Sequence, residues 1–273
     1  MGIKISKVIK SKIKYLINKI FPFFIEYLPA ILFLFITLVT WELIVRWLNI
    51  PIYILPRPTA IISRIIIEKS MLFFNLKITM IAAMGGFLIG GIVAFMLAVS
   101  FLYSKTTERA IYPWAIMIKS IPIVAIAPLL TIWLGYGMAP KVVIAAVVSF
   151  FPILVNATQG LQSIDYQAME FLQLLGATKW EIFLKLRFPS SLPYLFSSFK
   201  ISVTIAVIGA IVAEFTGSEA GIGSVIIAAG YRLDSPLLFA SIFMSSFASI
   251  CMFYVIVLLE KVCIYWPKDK GKE

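Results

Sequence analysis

Long apolar runs separated by short polar breaks occupy the chain from residue 28 onward. Six of them, at about 28–48, 78–102, 113–134, 140–160, 198–217 and 236–260, are each long enough to cross a membrane, since a hydrocarbon core needs roughly 20 apolar residues per helix. Residues 3–20 follow a different pattern. Ile5, Ile9, Ile13, Leu16 and Ile20 recur at helical spacing among Lys4, Lys7, Lys10, Lys12, Lys14 and Lys19. This reads as a basic amphipathic helix lying on a membrane surface. A signal peptide would confine its charges ahead of the apolar core.

Two of the runs carry internal detail. In the second span Ala82, Gly86, Gly90, Ala94 and Ala98 form a stripe of small residues four apart, and Gly209, Ala213 and Gly217 repeat it in the fifth. Small side chains let helix backbones approach closely where no hydrophobic effect drives association. The stripe therefore predicts tight packing within one subunit, with a dimer seam as the sharper alternative. The third span contains Pro113, Pro122 and Pro128, and Pro152 interrupts the fourth. Each proline removes a backbone donor and kinks its helix. Such breaks survive in a membrane only against protein or a water-lined cavity. The third span is therefore expected inside the bundle, with Pro122 and Pro128 as candidates for lining a path.

The longest polar interruption in the C-terminal two thirds of the chain is residues 165–193, within a loop spanning 161–197. Ser163 and Asp165 are plausible N-terminal caps, Tyr166 to Leu175 contains good helix formers, and Gly176 suits a left-handed C-terminal cap. Thr178-Lys179-Trp180-Glu181 then has the form of a capping box, in which hydroxyl and carboxylate satisfy each other's backbone donors. A second helix is predicted to run to about Arg187 and stop at Pro189. The result is two short helices around a corner at Gly176–Ala177. Exposed Phe171, Trp180 and Phe183 would be costly in water and imply a membrane interface or a protein partner.

Composition narrows the class. The chain has 273 residues, 61% hydrophobic and 14% charged, against about 45–50% and about 25% for a soluble domain. It is an integral membrane protein with little room for a soluble domain. The formal charge of +11 would suggest nucleic acid in a soluble protein. Here the bias of Lys and Arg toward cytoplasmic loops accounts for it. With the N-terminus inside, sixteen of the twenty-four Lys and Arg fall on the cytoplasmic side, including Lys105, Arg109, Lys179, Lys185 and Arg187. Both termini are then cytoplasmic and no nucleic-acid partner is expected. Lys119, early in the third span, is the ambiguous one, since it can snorkel back. With no histidine, imidazole metal sites and His-based catalysis are excluded. Cys251 and Cys263 lie twelve apart on or beside one helix, too far for a disulfide.

Glu214 stands near the outer end of the fifth span. A carboxylate at the bilayer centre costs about 2.5–3.5 kcal/mol on insertion scales, so it faces a cavity or a partner. Two readings remain open: a gate or path residue, and an interfacial cap for backbone amides around Gly217 and Gly221. Glu42 and Lys119 are the other ionisable groups of the spans. These are few for a proton-coupled secondary transporter, which is the alternative function. No HExxH, GxSxG or facing aspartate pair marks an intramembrane enzyme, and no phosphate-cradling Gly-x4-Gly-Lys-Ser/Thr loop is present. The chain is read as a non-enzyme without a cofactor of its own.

The loop also resembles the docking motif of ABC-importer permeases: Glu-Ala-Ala, three residues, Gly, nine residues, Ile, one residue, Leu-Pro. Here those positions are Glu170, Phe171, Leu172, then Gly176, Leu186, Phe188 and Pro189. The spacing is kept, whereas Phe171 and Leu172 replace the alanines. Five further segments resemble the sulfonate, taurine, nitrate and pyrimidine-precursor branch of these permeases, in order over about 50–262. They are LPRPTAII (55–62), KSIPIVAIAPLLTIWLGYG (119–137), SFFPILVNATQGL (149–161), LLGATKWEIF (174–183) and IVAEFTGSEAGIG (211–223). The run at 228–243 is more similar to the pyrimidine-precursor and riboflavin members than to the sulfonate ones.

The resemblance implies an all-α membrane protein with six transmembrane helices in the type I importer permease fold, preceded by the amphipathic helix. It implies an ABC ATPase partner that binds the ATP, an extracytoplasmic substrate-binding protein, a permease homodimer and a bacterial inner-membrane location among lipid. It also implies that Glu170, Phe171, Leu172, Gly176, Ala177, Trp180 and Pro189 form the ATPase-coupling surface. The organisation expected is 1–27 as the basic amphipathic segment and 28–77 as the first span and an external loop. Residues 78–260 form the permease core containing the 161–197 loop, and 261–273 form a basic tail.

Overall fold

The computed structural model describes residues 28–265, so the predicted amphipathic segment at 3–20 and most of the basic tail lie outside the described residues. The elements are α1 (Leu28–Trp47), α2 (Pro58–Ile67), α3 (Lys69–Tyr103), α4 (Lys105–Ser120), α5 (Ile123–Leu134), α6 (Met138–Gln162), α7 (Tyr166–Leu174), α8 (Lys179–Ile182), a π-helical turn (Phe183–Arg187), α9 (Phe188–Glu214), α10 (Ile222–Tyr231) and α11 (Ser235–Cys263). There is no strand among the described residues. The chain divides into two compact units at Ser63–Arg64.

In the first unit α1 is an apolar helix of 20 residues. Near its end Glu42 accepts hydrogen bonds from the Thr59 N–H at 3.1 Å and the Thr59 hydroxyl at 3.0 Å, and from Arg46 Nε at 2.7 Å. The carboxylate thus satisfies one amide hydrogen, that of Thr59, in the first turn of α2. The helical segment at 58–67 falls where the sequence reading has an external loop.

The second unit is built on α3, α6 and α9, and the small-residue stripes explain their closeness. A Cβ at Gly86 would lie 2.6 Å from the Val142 carbonyl oxygen, and one at Gly90 would lie 2.5 Å from that of Ala146. Gly209 packs as tightly on α6, against Val148 and Ala145. Ala82, Ala94, Ala98, Ala145, Ala157, Ala206 and Ala210 are fully or almost fully buried between the three helices. The stripe therefore seals the subunit's own core. Hydroxyls mostly turn back on their own helices; Ser202 instead donates across to the Ser149 carbonyl of α6 at 3.2 Å. Lys200 of α9 pairs with Glu260 of α11 at 2.9 Å.

Five helices are continuous and apolar enough to cross a membrane, and α4 with α5 makes a sixth span broken at Ser120–Ile123, where the axis bends by 99°. Pro122 sits at the break. Proline and the restriction it places on the residue before it remove Ile121 from helical geometry. The third span is also less enclosed than its prolines suggest. Among α4 and α5 only Ala115, Ala127 and Thr131 are buried, and Pro122 and Pro128 are exposed in the protomer. Lys119 lies 4.5 Å above the Phe151 ring of α6, a cation–π contact at an exposed site.

Candidate functional site: the helical hairpin between α6 and α9, and a buried carboxylate at the opposite end

The hairpin is assembled by local chemistry. Asp165 Oδ1 accepts the Gln167 N–H at 3.0 Å and opens α7. Gly176, at φ +74°, closes it. Its N–H donates to the Gln173 carbonyl at 2.9 Å, and the Ala177 N–H donates to that of Leu172 at 3.0 Å. This is the paired Schellman arrangement, and its left-handed residue is best supplied by glycine. The capping box follows: Glu181 Oε2 accepts the Thr178 N–H at 2.8 Å, and Thr178 Oγ1 accepts the Glu181 N–H at 3.3 Å. The corner at Gly176–Ala177 lies where the sequence puts it.

The surface so formed is apolar and open. Phe171 is 62% exposed, Leu174 86%, Leu175 67% and Trp180 64%. Glu170 is exposed beside them and makes no side-chain hydrogen bond or ion pair among the described residues. Leu172, Ala177 and Pro189 are half-buried. Phe183, expected on the outside, is buried. Its ring stacks on Trp180 at 5.5 Å and meets Phe188 at 6.3 Å, and Phe188 in turn reaches Phe95 of α3 at 6.1 Å. An aromatic chain thus runs from the open surface into the bundle.

The second helix of the hairpin does not stop at Pro189. Helix continues from Lys179 to Glu214, 36 residues in all. The π-helical turn at Phe183–Arg187 makes this feasible. There the Phe188 N–H donates to the Phe183 carbonyl, five residues back, and Pro189 follows directly, so its missing amide hydrogen falls where the register returns from π to α. Arg187, at the end of this turn, was not anticipated. Its Nη1 donates to the Leu161 carbonyl in the last turn of α6 at 2.9 Å, and its Nη2 lies 3.7 Å from Met169 Sδ of α7.

At the opposite end of α9, Glu214 is almost wholly buried. It receives the Thr79 hydroxyl at 2.8 Å and the Gly223 N–H at 2.8 Å, with Lys141 Nζ 3.5 Å away. The Gly221 N–H donates to Asn75 Oδ1 and the Ile222 N–H to Thr79 Oγ1, both at 2.8 Å. Three consecutive amides at the start of α10 are thus satisfied by side chains of α3 and α9. Gly221 and Gly223 are required, because a Cβ at either would run into Glu214. Of the two readings of Glu214, the contacts are those of a cap, centred on 221–223 rather than on Gly217. Lys141 also donates to the Ala220 carbonyl. Charge counting groups Lys141 with the external lysines; the signal that could have found it is a carboxylate within an apolar span, which needs a counter-ion.

No group of three or more His, Cys, Asp or Glu among the described residues is placed to hold a metal. Cys251 and Cys263 are free and exposed.

The family described as binding-protein-dependent transport system inner membrane component matches residues 86–262. The chain is 34% identical over 244 residues to the formylaminopyrimidine transport permease protein ThiX of Halalkalibacterium halodurans, covering 89% of this chain and 97% of that one. It is 31% identical over 235 residues to the riboflavin transport system permease protein RibX of Chloroflexus aurantiacus, with 85% and 88% covered. It is 27% identical over 241 residues to the putative aliphatic sulfonates transport permease protein SsuC of Bacillus subtilis, with 88% and 86% covered. Among solved structures, a chain of the inward-facing MetNI methionine ABC transporter superposes with a TM-score of 0.58 at 19% identity, covering 71% of this chain and 95% of that one. At that identity the likeness speaks for the fold.

Proposed function

Because the chain belongs to the binding-protein-dependent transport system inner membrane component family, and so is a membrane permease subunit of an ABC importer rather than an enzyme, we propose that the α7–α8 hairpin is its ATPase-coupling surface. The observation that carries this is the patch of Phe171, Leu174, Leu175 and Trp180, open on a hairpin whose helices are capped by Asp165 and by the Thr178–Glu181 box. An apolar patch of this kind is costly unless a partner covers it. Glu170, Phe171, Leu172, Gly176, Ala177, Trp180 and Pro189 present or shape it. The bulk of Phe171 and Leu172 requires a partner groove wider than paired alanines would. The ATP is bound by that partner, an ABC ATPase, and both termini face it in the cytoplasm.

The solute is proposed to be delivered by an extracytoplasmic binding protein to a permease homodimer embedded in lipid. A pyrimidine-precursor or riboflavin-like solute is favoured by the order of similarity among the relatives and by the 228–243 run; sulfonate, taurine or nitrate comes next. Pro122 and Pro128 are assigned to the path, supported by the 99° break and their exposure in the protomer. Glu214 is proposed to bear on the path only as the cap that fixes the start of α10. Proton-coupled transport has no support among the relatives.

The test is Glu170→Arg in the chain co-expressed with its ATPase. Loss of ATPase co-purification with unchanged membrane insertion is expected. Unaltered assembly would remove Glu170 from the interface.

A further inference from the structure

α7 has no buried residue, so packing alone gives it little hold on the bundle. α8 and the turn after it are different, because Ile182 and Phe183 are buried and the aromatic chain ties them to α3. A displacement imposed on α7 would therefore be lost in the hairpin unless something stiffer joins α7 to a span. Arg187 is placed to do so. Its guanidinium reaches the Leu161 carbonyl of α6 and Met169 Sδ of α7, while its backbone belongs to the π-helical turn that runs into α9. A planar fork of five donors can hold two acceptors in fixed directions, which a single ammonium cannot. The Leu161 carbonyl is one of the four that α6 leaves without an intrahelical partner, at the negative end of its dipole.

We propose that Arg187 is the positioning residue that transmits movement of α7 to α6 and α9, clamping three elements through one side chain. It touches neither nucleotide nor transported solute. The proposal rests on the coupling reading of the hairpin.

The experiment uses the full chain with its ATPase in lipid nanodiscs, with hydrogen–deuterium exchange recorded before and after trapping with ATP and vanadate. In the parent, trapping is expected to slow exchange both in α7 and in the last turn of α6. In Arg187→Met the ATPase still co-purifies and α7 is still protected, but the change in the last turn of α6 falls by roughly 2–30-fold, the range for residues that carry coupling. Arg187→Lys, which keeps one acceptor, is expected to fall between the two. Should the methionine variant fail to assemble, Met169→Leu removes only the sulfur contact and is expected to weaken transmission while the lysine variant preserves part of it. Full transmission in Arg187→Met, or in both fallback variants, overturns the clamp and leaves the coupling surface standing. Absence of α7 protection in the parent overturns the coupling surface and the clamp with it.

Discussion

Replacing Glu214 by Ala should be among the most damaging single changes in this chain. The Glu214 side chain is 0% exposed and that of Lys141 5%. Removal of the carboxylate leaves a buried ammonium without its counter-ion and strips Gly223 and Thr79 of an acceptor. Breaking a buried pair from one side costs about 3–5 kcal/mol, which for a unit of this size lowers the melting temperature by roughly 6–20 °C. Glu214→Gln should lose less, because an amide oxygen can still accept from Gly223. The sharper test is the double change Glu214→Gln with Lys141→Met. Ala220 loses its lysine donor but keeps the Ser218 hydroxyl at 2.7 Å, so no carbonyl is orphaned. A neutral replacement of both partners is often isoenergetic, and the double variant should melt above Glu214→Ala and close to the parent. Intrinsic-fluorescence melts of the purified protein in detergent decide it. A Glu214→Ala melt within 1 °C of the parent (about 0.3 kcal/mol), or a double variant no better than the alanine, would refute the reasoning.

Two further outcomes follow from close packing and backbone geometry. Gly86→Ala places a methyl 2.6 Å from the Val142 carbonyl oxygen and 2.7 Å from the Ala146 nitrogen; it should cost about 1–3 kcal/mol as an overpacked contact. Gly85→Ala, whose methyl would meet Val142 at 3.6 Å, is the neutral control in the same melts. Leu233, at φ +55°, closes α10 in a left-handed conformation with its side chain 66% exposed. Leu233→Gly relieves about 1 kcal/mol of strain and should raise the melting temperature by roughly 2–4 °C.

The spans are legible in the sequence because a membrane helix announces itself by length and apolarity. The Schellman corner at Gly176 and the Thr178–Glu181 box are legible because each is satisfied within a few residues. What is not legible depends on partners distant in the chain. Arg187 finds its carbonyl twenty-six residues away, and Lys141 finds Glu214 on another helix. Pro189 misleads for the same reason. Its local meaning is a stop, but the burial of Phe183 and contact with Phe188 hold the helix together across it through a wider turn. Pro122 is visible as a break, but nothing local in the sequence gives its 99° angle.

A π-helical turn holds one residue more than the α-helix it interrupts. Each residue of α-helix advances the azimuth by about 100° and the axis by 1.5 Å. The direction in which Trp180 faces, relative to the core face of α9, is therefore written in the number of residues between them as much as in their identity. Evolution can re-aim such a surface by one insertion or deletion at 183–187 and leave the buried residues of α9 in place. A family whose members must each fit a different partner groove would have in this turn an adjustable joint, set once in the gene and rigid thereafter.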